Sequence, residues 1–456
     1  MLAEKFSLFS DVPVRKAVLA LAIPTVISQL ITVVYNMADT FFIGQLNDPS
    51  QVAAATLAMP CFMFLIAFAN LFGMGGSSLI SRCLGTGDQD TARHTASFCI
   101  WTGIVAAFLY GVAILLLKPV LFPVLGAKEE TWEYLRQYVL WTIGIGAIPT
   151  VMNAEFAHLI RSEGYSKQAG FGVALGGLLN IALDPLFIFV FRLNIAGAAI
   201  ATMLSNLIAM LYFIAFLLRI RKKSVITLNP KAYSVHYKIP LEVVMVGLPG
   251  FIMTMMSTIS NTALNHIVAS YSNTAIAGMG IAKKIDLLAY AIAQGMTHGT
   301  LPLVGYNYSS GNLKRMKEAI KTALAYSLIV AVCGTVLLYF FAAPIAGTFI
   351  GDAETVRYGQ HFLKIICLAC PTTAVNFMCI TVFQAIGKKV QPLLLSLLRK
   401  GSLDVVFMVV LNKAIGISGI AWATPFADWI AFVISAVLMI PCLKKLSSSD
   451  TTESVD

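Results

Sequence analysis

Residues 178–189 read LLNIALDPLFIF and lie within an otherwise apolar run from 169 to 191. Asn180 and Asp184 stand four apart, so a helix there carries a carboxamide and a carboxylate on one face, one turn apart. That face cannot look at lipid, because an aspartate at mid-bilayer costs about 2.5–3.5 kcal/mol on insertion scales. It must face a protein interior or a watery cavity, the ordinary place for an ion or substrate path. Pro185 lacks an N–H and frees a backbone carbonyl beside the carboxylate, adding an oxygen that a cation could use. A second long apolar run holds Asp39, in YNMADTFFIG at 35–44, with Tyr35 and Asn36 about one turn before the acid. The chain reads as a membrane machine built around these two acids.

Composition agrees. With 58% hydrophobic and 12% charged residues over 456 positions and a mean hydropathy of +0.80, the chain falls outside the soluble globular range. Twelve apolar runs approach the roughly 20 residues a bilayer needs: 17–43, 52–81, 95–117, 135–160, 169–191, 196–218, 241–270, 275–305, 318–340, 357–386, 391–411 and 418–441. The first is too long for a signal-peptide core. Pro24, Pro60, Pro149, Pro249, Pro302 and Pro371 are candidate kinks, with Pro24 a candidate hinge. The N-terminus, even-numbered connections and C-terminal tail hold 20 Lys and Arg against 6 on the other side. This asymmetry predicts that both termini are cytoplasmic. It also explains the net charge of +10 without a nucleic-acid partner. Cys367 and Cys370 form a CxxC with no second pair to complete a zinc site, and read as helix packing.

The basic segment 219–238 divides the chain into an N-terminal lobe, 1–218, with spans 1–6, and a C-terminal lobe, 239–446, with spans 7–12; a polar tail follows at 447–456. The halves repeat: IAGAAIAT at 195–202 matches ISGIAWAT at 417–424, an offset of 222. Gly164 and Gly387 pair at 223, Gly87 and Gly311 at 224, and Pro24 and Pro249 at 225, a drift that small loop deletions would produce. Six spans being even, the halves enter the membrane the same way and should be related by an axis along its normal. On these offsets Asp39 falls on Leu264, Asn180 on Ser402 and Asp184 on Val406, so the acidic pair is expected in the N-terminal lobe alone.

Several other residues carry chemistry. Glu155 and His158 are a candidate proton relay near the end of the fourth span, with an interfacial helix end as the plainer reading. Asn153, one turn deeper, is a candidate for the same polar network. In the C-terminal lobe, Lys283 with Asp286 and Lys400 with Asp404 stand at helical spacing for self-neutralised pairs; these four and Arg399 are alternatively gating charges. No GxxxxGK[ST] and no HExxH occurs, which argues for ion coupling over nucleotide use and against a metalloenzyme.

Taken together, the first-span proline, DTFFIG at 39–44, RCLGTGDQD at 82–90, LNIALDP at 179–185 and AGAAIAT at 196–202 resemble the multidrug and toxic compound extrusion (MATE) transporters, in their DinF-type prokaryotic branch. The resemblance covers nearly the whole chain. It implies an all-α integral membrane protein, with twelve transmembrane helices in two pseudo-symmetric six-helix bundles set in a V. It further implies a non-enzymatic antiporter of the prokaryotic plasma membrane, monomeric and without cofactor, that exports cationic or amphipathic organic compounds in exchange for H⁺ or Na⁺. The family's cation site falls on Asp39, Asn180, Asp184 and Thr202, the last of these marked by the resemblance and by the repeat. The alternative is a lipid-linked oligosaccharide flippase of related fold, whose pyrophosphate would want the basic residues of the C-terminal lobe; the acidic N-terminal lobe disfavours it.

Overall fold

The computed structural model describes residues 7–235, 238–350 and 352–452, and nearly all of them are helical. The twelve long helices among them are α1 Val14–Gly44, α2 Pro49–Thr86, α3 Gln89–Leu125, α4 129–162, α5 Ser166–Val190, α6 Asn194–Ile220, α7 Ile239–Val268, α8 Asn273–Ser309, α9 Leu313–Phe340, α10 Ala353–Ala385, α11 390–415 and α12 Ile417–Thr452. Nine are long and apolar enough to cross a membrane, and α4, bent by 50° between Ile145 and Ala147, makes a tenth. The remaining two, α8 and α11, are the ones that carry Lys283, Lys284 and Asp286, and Arg399, Lys400 and Asp404. α1 continues unbroken through Pro24, and the sharp bend of α4 precedes Pro149 instead. α12 extends to Thr452, so the tail expected from 447 begins as helix, and 453–456 lie outside the described residues.

The helices outrun the apolar stretches because their ends are capped. Asp48 accepts from the Ser50 N–H at 2.9 Å and Asp88 from the Thr91 N–H at 3.0 Å, satisfying donors that a first turn leaves open. These bonds favour the ionised carboxylates: side-chain bonding from Gln51 holds Asp48, and from Thr91 holds Asp88, below the usual range. The repeated glycines end helices. Gly87 and Gly311 have φ of 80° and 77°, and Gly164 and Gly387 have 87° and 75°, the left-handed geometry that glycine adopts at no steric cost.

Each half packs largely on itself: α1 lies on α5, α5 on α6 and α2 on α3 and α4, while α11 lies on α12 and α8 on α9 and α10. The halves meet where α2 crosses α7 and where α8 crosses α1. These crossings are nearly one contact made twice. A Cβ on Gly247 of α7 would sit 1.9 Å from the Leu71 carbonyl oxygen, and one on Gly75 of α2 would sit 2.0 Å from that of Val243. At the other crossing a Cβ on Gly299 would come within 2.7 Å of the Ala22 Cα. Gly75 and Gly299 are 224 apart and Ala22 and Gly247 are 225 apart, the offsets of the sequence repeat.

The contact is one-sided. Call the side carrying the N-terminus and the even-numbered connections the basic face. Hydrogen bonds, ion pairs and ring contacts between the halves run from that face to about mid-helix. They include Arg82–Glu242 at 3.2 Å, the Ser78 hydroxyl on the Gln384 carbonyl at 2.6 Å, Asn70–Thr254 at 3.0 Å and Gln29–Gln294 at 3.4 Å. The halves are thus sealed at the basic face. The connection 219–238 is docked there: Glu163 accepts from the Ser224 hydroxyl at 2.6 Å and the Val225 N–H at 2.7 Å, and His94 and Ser97 of α3 bond to the Ala232 and Asn229 carbonyls at 2.7 and 3.1 Å. The N-terminus docks on the opposite half, where Asn307 and Arg315 donate to the Phe9 carbonyl at 3.1 and 2.6 Å.

Candidate functional site

Two small residues of α5 set the register that builds the N-terminal site. A Cβ on Gly170 would lie 2.6 Å from the Pro24 carbonyl oxygen, and one on Gly177 would lie 2.8 Å from Ile31 and 3.0 Å from Tyr35. Without Cβ atoms α5 lies directly on α1. Pro24 to Gly170 and Ile31 to Gly177 are each a step of 146, and Asp39 to Asp184 is one of 145, so two parallel helices in this register place the acids side by side. Asp39, Asp184, Tyr35 and Tyr138 all lie within electrostatic reach of one another.

Asn180 holds the centre. Its amide donates to Asp184 and to the Thr202 hydroxyl, both at 3.3 Å, and Asn180 and Asp184 are 1% and 0% exposed. The structure therefore brings together Asp39, Asn180, Asp184 and Thr202. One oxygen each of Asp39, Asp184 and Asn180 is buried with no hydrogen-bond partner, and neither acid forms an ion pair among the described residues. Orphaned buried oxygens are costly unless something positive occupies the site. Three such oxygens with a hydroxyl fit a hard cation or a proton. Among the described residues no three of His, Cys, Asp or Glu gather as a transition-metal site would require.

Asn153 joins this cluster indirectly. Its amide donates to Asn206 at 2.8 Å, and Asn206 donates to the Thr202 carbonyl at 2.9 Å; Asn206 was not singled out from the sequence. Asn36 is spent on its own helix, donating to the Thr32 carbonyl at 2.8 Å. Glu155 and His158 lie buried within the last two turns of α4. Glu155 is 0% exposed with both carboxyl oxygens unpartnered, and His158 packs edge-on against His298 of α8, ring centres 5.1 Å apart, across the seam between the halves.

The C-terminal half holds a buried acid close to the position that the offsets gave to Ser402 and Val406. Asp404 accepts from Ser260 at 2.5 Å and from Thr424 at 3.2 Å, and Thr424 is the repeat partner of Thr202. A seven-residue π-helical stretch, Leu397–Leu403, precedes Asp404 in α11 and breaks the register that a fixed offset assumes. Bases surround this acid: Lys400 lies 3.9 Å from Asp404, and Lys283 lies 3.8 Å from Asp286 and donates to Thr424 at 3.1 Å. Arg399 pairs with Asp428 through Nε at 2.5 Å and Nη2 at 3.3 Å, and its guanidinium lies 4.5 Å from the Phe377 ring centre. Thr373 bonds to both members of the pair. Asp428, Thr373 and Ser260 went unnoticed in the sequence, although Asp428 stands in an apolar run as Asp39 does.

The N-terminal half thus buries an acidic cluster and the C-terminal half a charge-balanced one, each inside a helical bundle. The MatE family model matches residues 24–186 and 249–410, more than half of the chain, and the chain belongs to that family. It is 28% identical over 453 residues to the multidrug export protein MepA of Staphylococcus aureus strain MSSA476, covering 99% of each chain. It is 29% identical over 450 residues to MepA of Staphylococcus saprophyticus, covering 99% of this chain and 98% of that one. A multidrug resistance MATE family transporter of the MOP superfamily, solved in an outward-facing conformation, superposes with a TM-score of 0.91 at 25% identity, covering 98% of this chain and 99% of that one.

Proposed function

We propose that the protein is a secondary antiporter of the prokaryotic plasma membrane that exports cationic or amphipathic organic compounds in exchange for H⁺ or Na⁺. The observation that carries this reading is the N-terminal cluster, with two neighbouring carboxylates, three orphaned oxygens and no base. Two such acids repel in a low-dielectric site until a proton or cation intervenes. Binding of either relieves that repulsion and removes the negative charge that would attract a cationic cargo, so ion and cargo compete without sharing every contact. The lobes 1–218 and 239–446 are the moving bodies, working as a monomer, and alternating access opens the seam now sealed at the basic face. With both termini cytoplasmic, that sealed face is the inner one.

Vesicles loaded with ethidium and placed under separately imposed pH and Na⁺ gradients test the reading. Export driven by one or both gradients is expected, and export indifferent to both overturns it. A reporter fused after Lys445 should be active only on the cytoplasmic side.

A further inference from the structure

The C-terminal half holds a cavity of about 60 Å³, walled by Asp286, Tyr290, Thr373, Arg399, Lys400 and Asp428 with apolar side chains of α8 and α9 beyond them. It belongs to no part of the N-terminal cluster. Its charges balance: Lys283, Arg399 and Lys400 face Asp286, Asp404 and Asp428 across distances of 2.5 to 3.9 Å. Its hydrogen bonds do not balance. Arg399 is 2% exposed, fixed by Asp428, Thr373 and Phe377, yet its Nη1 is buried without a partner. Lys400 touches one acid at 3.9 Å, beyond hydrogen-bond reach, so an ammonium on the wall has donors to give. On the same wall the one ion-pair partner of Asp286 among the described residues is Lys283, at 3.8 Å, and its carboxylate has acceptors to give.

A pocket that is neutral in sum, with unfilled cationic donors and unfilled anionic acceptors, does not suit a simple anion or a simple cation. Either would leave an uncompensated charge in a buried site, which is costly. A ligand carrying both charges leaves the sum at zero. We infer that this C-terminal cavity receives the zwitterionic head of an amphipathic molecule, its carboxylate or phosphate toward Lys400 and Arg399 Nη1, its ammonium toward Asp286, and its apolar body along α8 and α9. The inference concerns binding and stands apart from the antiport reading; it uses that reading only in taking the ligand for cargo.

Fluorescence polarisation on the purified full-length protein tests it with one fluorophore in three charge states. Nε-dansyl-lysine is the zwitterion, its methyl ester the cation and its Nα-acetyl derivative the anion. The zwitterion should bind at least tenfold more tightly than either derivative, and equal binding of all three overturns the inference. In Lys400→Met the zwitterion should lose at least tenfold in affinity while the methyl ester binds no more weakly, and Lys400→Arg should restore much of the loss. An unchanged zwitterion affinity in folded Lys400→Met also overturns it; were that variant not to fold, the three-ligand series on the wild type decides. Displacement by short-chain phosphatidylethanolamine assigns the zwitterion to a lipid headgroup, and no displacement assigns it to an exported solute. Binding is read on purified protein without an ion gradient and export in vesicles under one, so a failure here and a failure of the antiport reading give different results.

Discussion

The two halves place a threonine at the same point of the repeat and surround it with different electrostatics, acidic in one and charge-balanced in the other. Around Thr202 stand Asp39, Asn180 and Asp184 with oxygens unfilled. Around Thr424 stand Asp404, Lys283 and Lys400, and a helix turn away Arg399 closes on Asp428. One scaffold can thus hold a site that needs an incoming positive charge and a site that carries its own. The difference lies in three bases on α8 and α11, at positions where α2 and α5 are apolar or small.

The comparison breaks first at Arg399. Arg399→Leu strands a buried carboxylate, and loss of one partner of a buried pair costs about 3–5 kcal/mol, so unfolding in detergent should shift strongly downward. Arg399→Leu combined with Asp428→Leu should recover most of that stability; a single variant as stable as wild type would show the pair to be dispensable. Asp184→Asn is expected to behave in the contrary way. The amide keeps shape and removes a charge that nothing pairs, so the protein should fold normally yet lose coupled export, and normal export by well-folded protein would make Asp184 merely structural.

A finer test measures coupling directly. Cationic-drug affinity should fall as pH drops or Na⁺ rises, and by linkage the drug must weaken ion binding by the same factor. Typical couplings of about 1–3 kcal/mol correspond to roughly 5–150-fold. In Asp39→Asn that ion dependence should shrink strongly, and adding Asp184→Asn should change little more, as for residues acting together; an unaltered dependence would remove Asp39 from the mechanism. The smallest effects belong to the threonines. Thr202→Ala and Thr424→Ala each remove hydrogen bonds worth about 1 kcal/mol, but only Thr202→Ala should shift the ion dependence of drug binding.

Much of this was legible in the sequence. Asp39, Asn180 and Asp184 stood out because a polar side chain inside an apolar run has few structural excuses, Thr202 was added by the family resemblance, and the span limits followed from the length of such runs. What escaped did so for identifiable reasons. Asp404 as a partner of Thr424 was hidden by the π-helical stretch Leu397–Leu403, since a constant offset cannot follow a widened turn. Asp428 was passed over beside the repeat motif that precedes it. Asn206 looks like any helix-joining amide until its bond from Asn153 is seen. The one-sided seam is a property of tertiary packing, and although Gly75 and Gly247 were visible, the backbone they approach was not.

The docked connection has a mechanical consequence. Ser224, Val225, Asn229 and Ala232 are tied to the N-terminal half by hydrogen bonds, and the Tyr233 ring packs on Phe98 of α3. The segment at Phe9 is gripped by α8 and α9 of the other half. An opening at this edge must therefore strain or release these fastenings as well as part the packed helices.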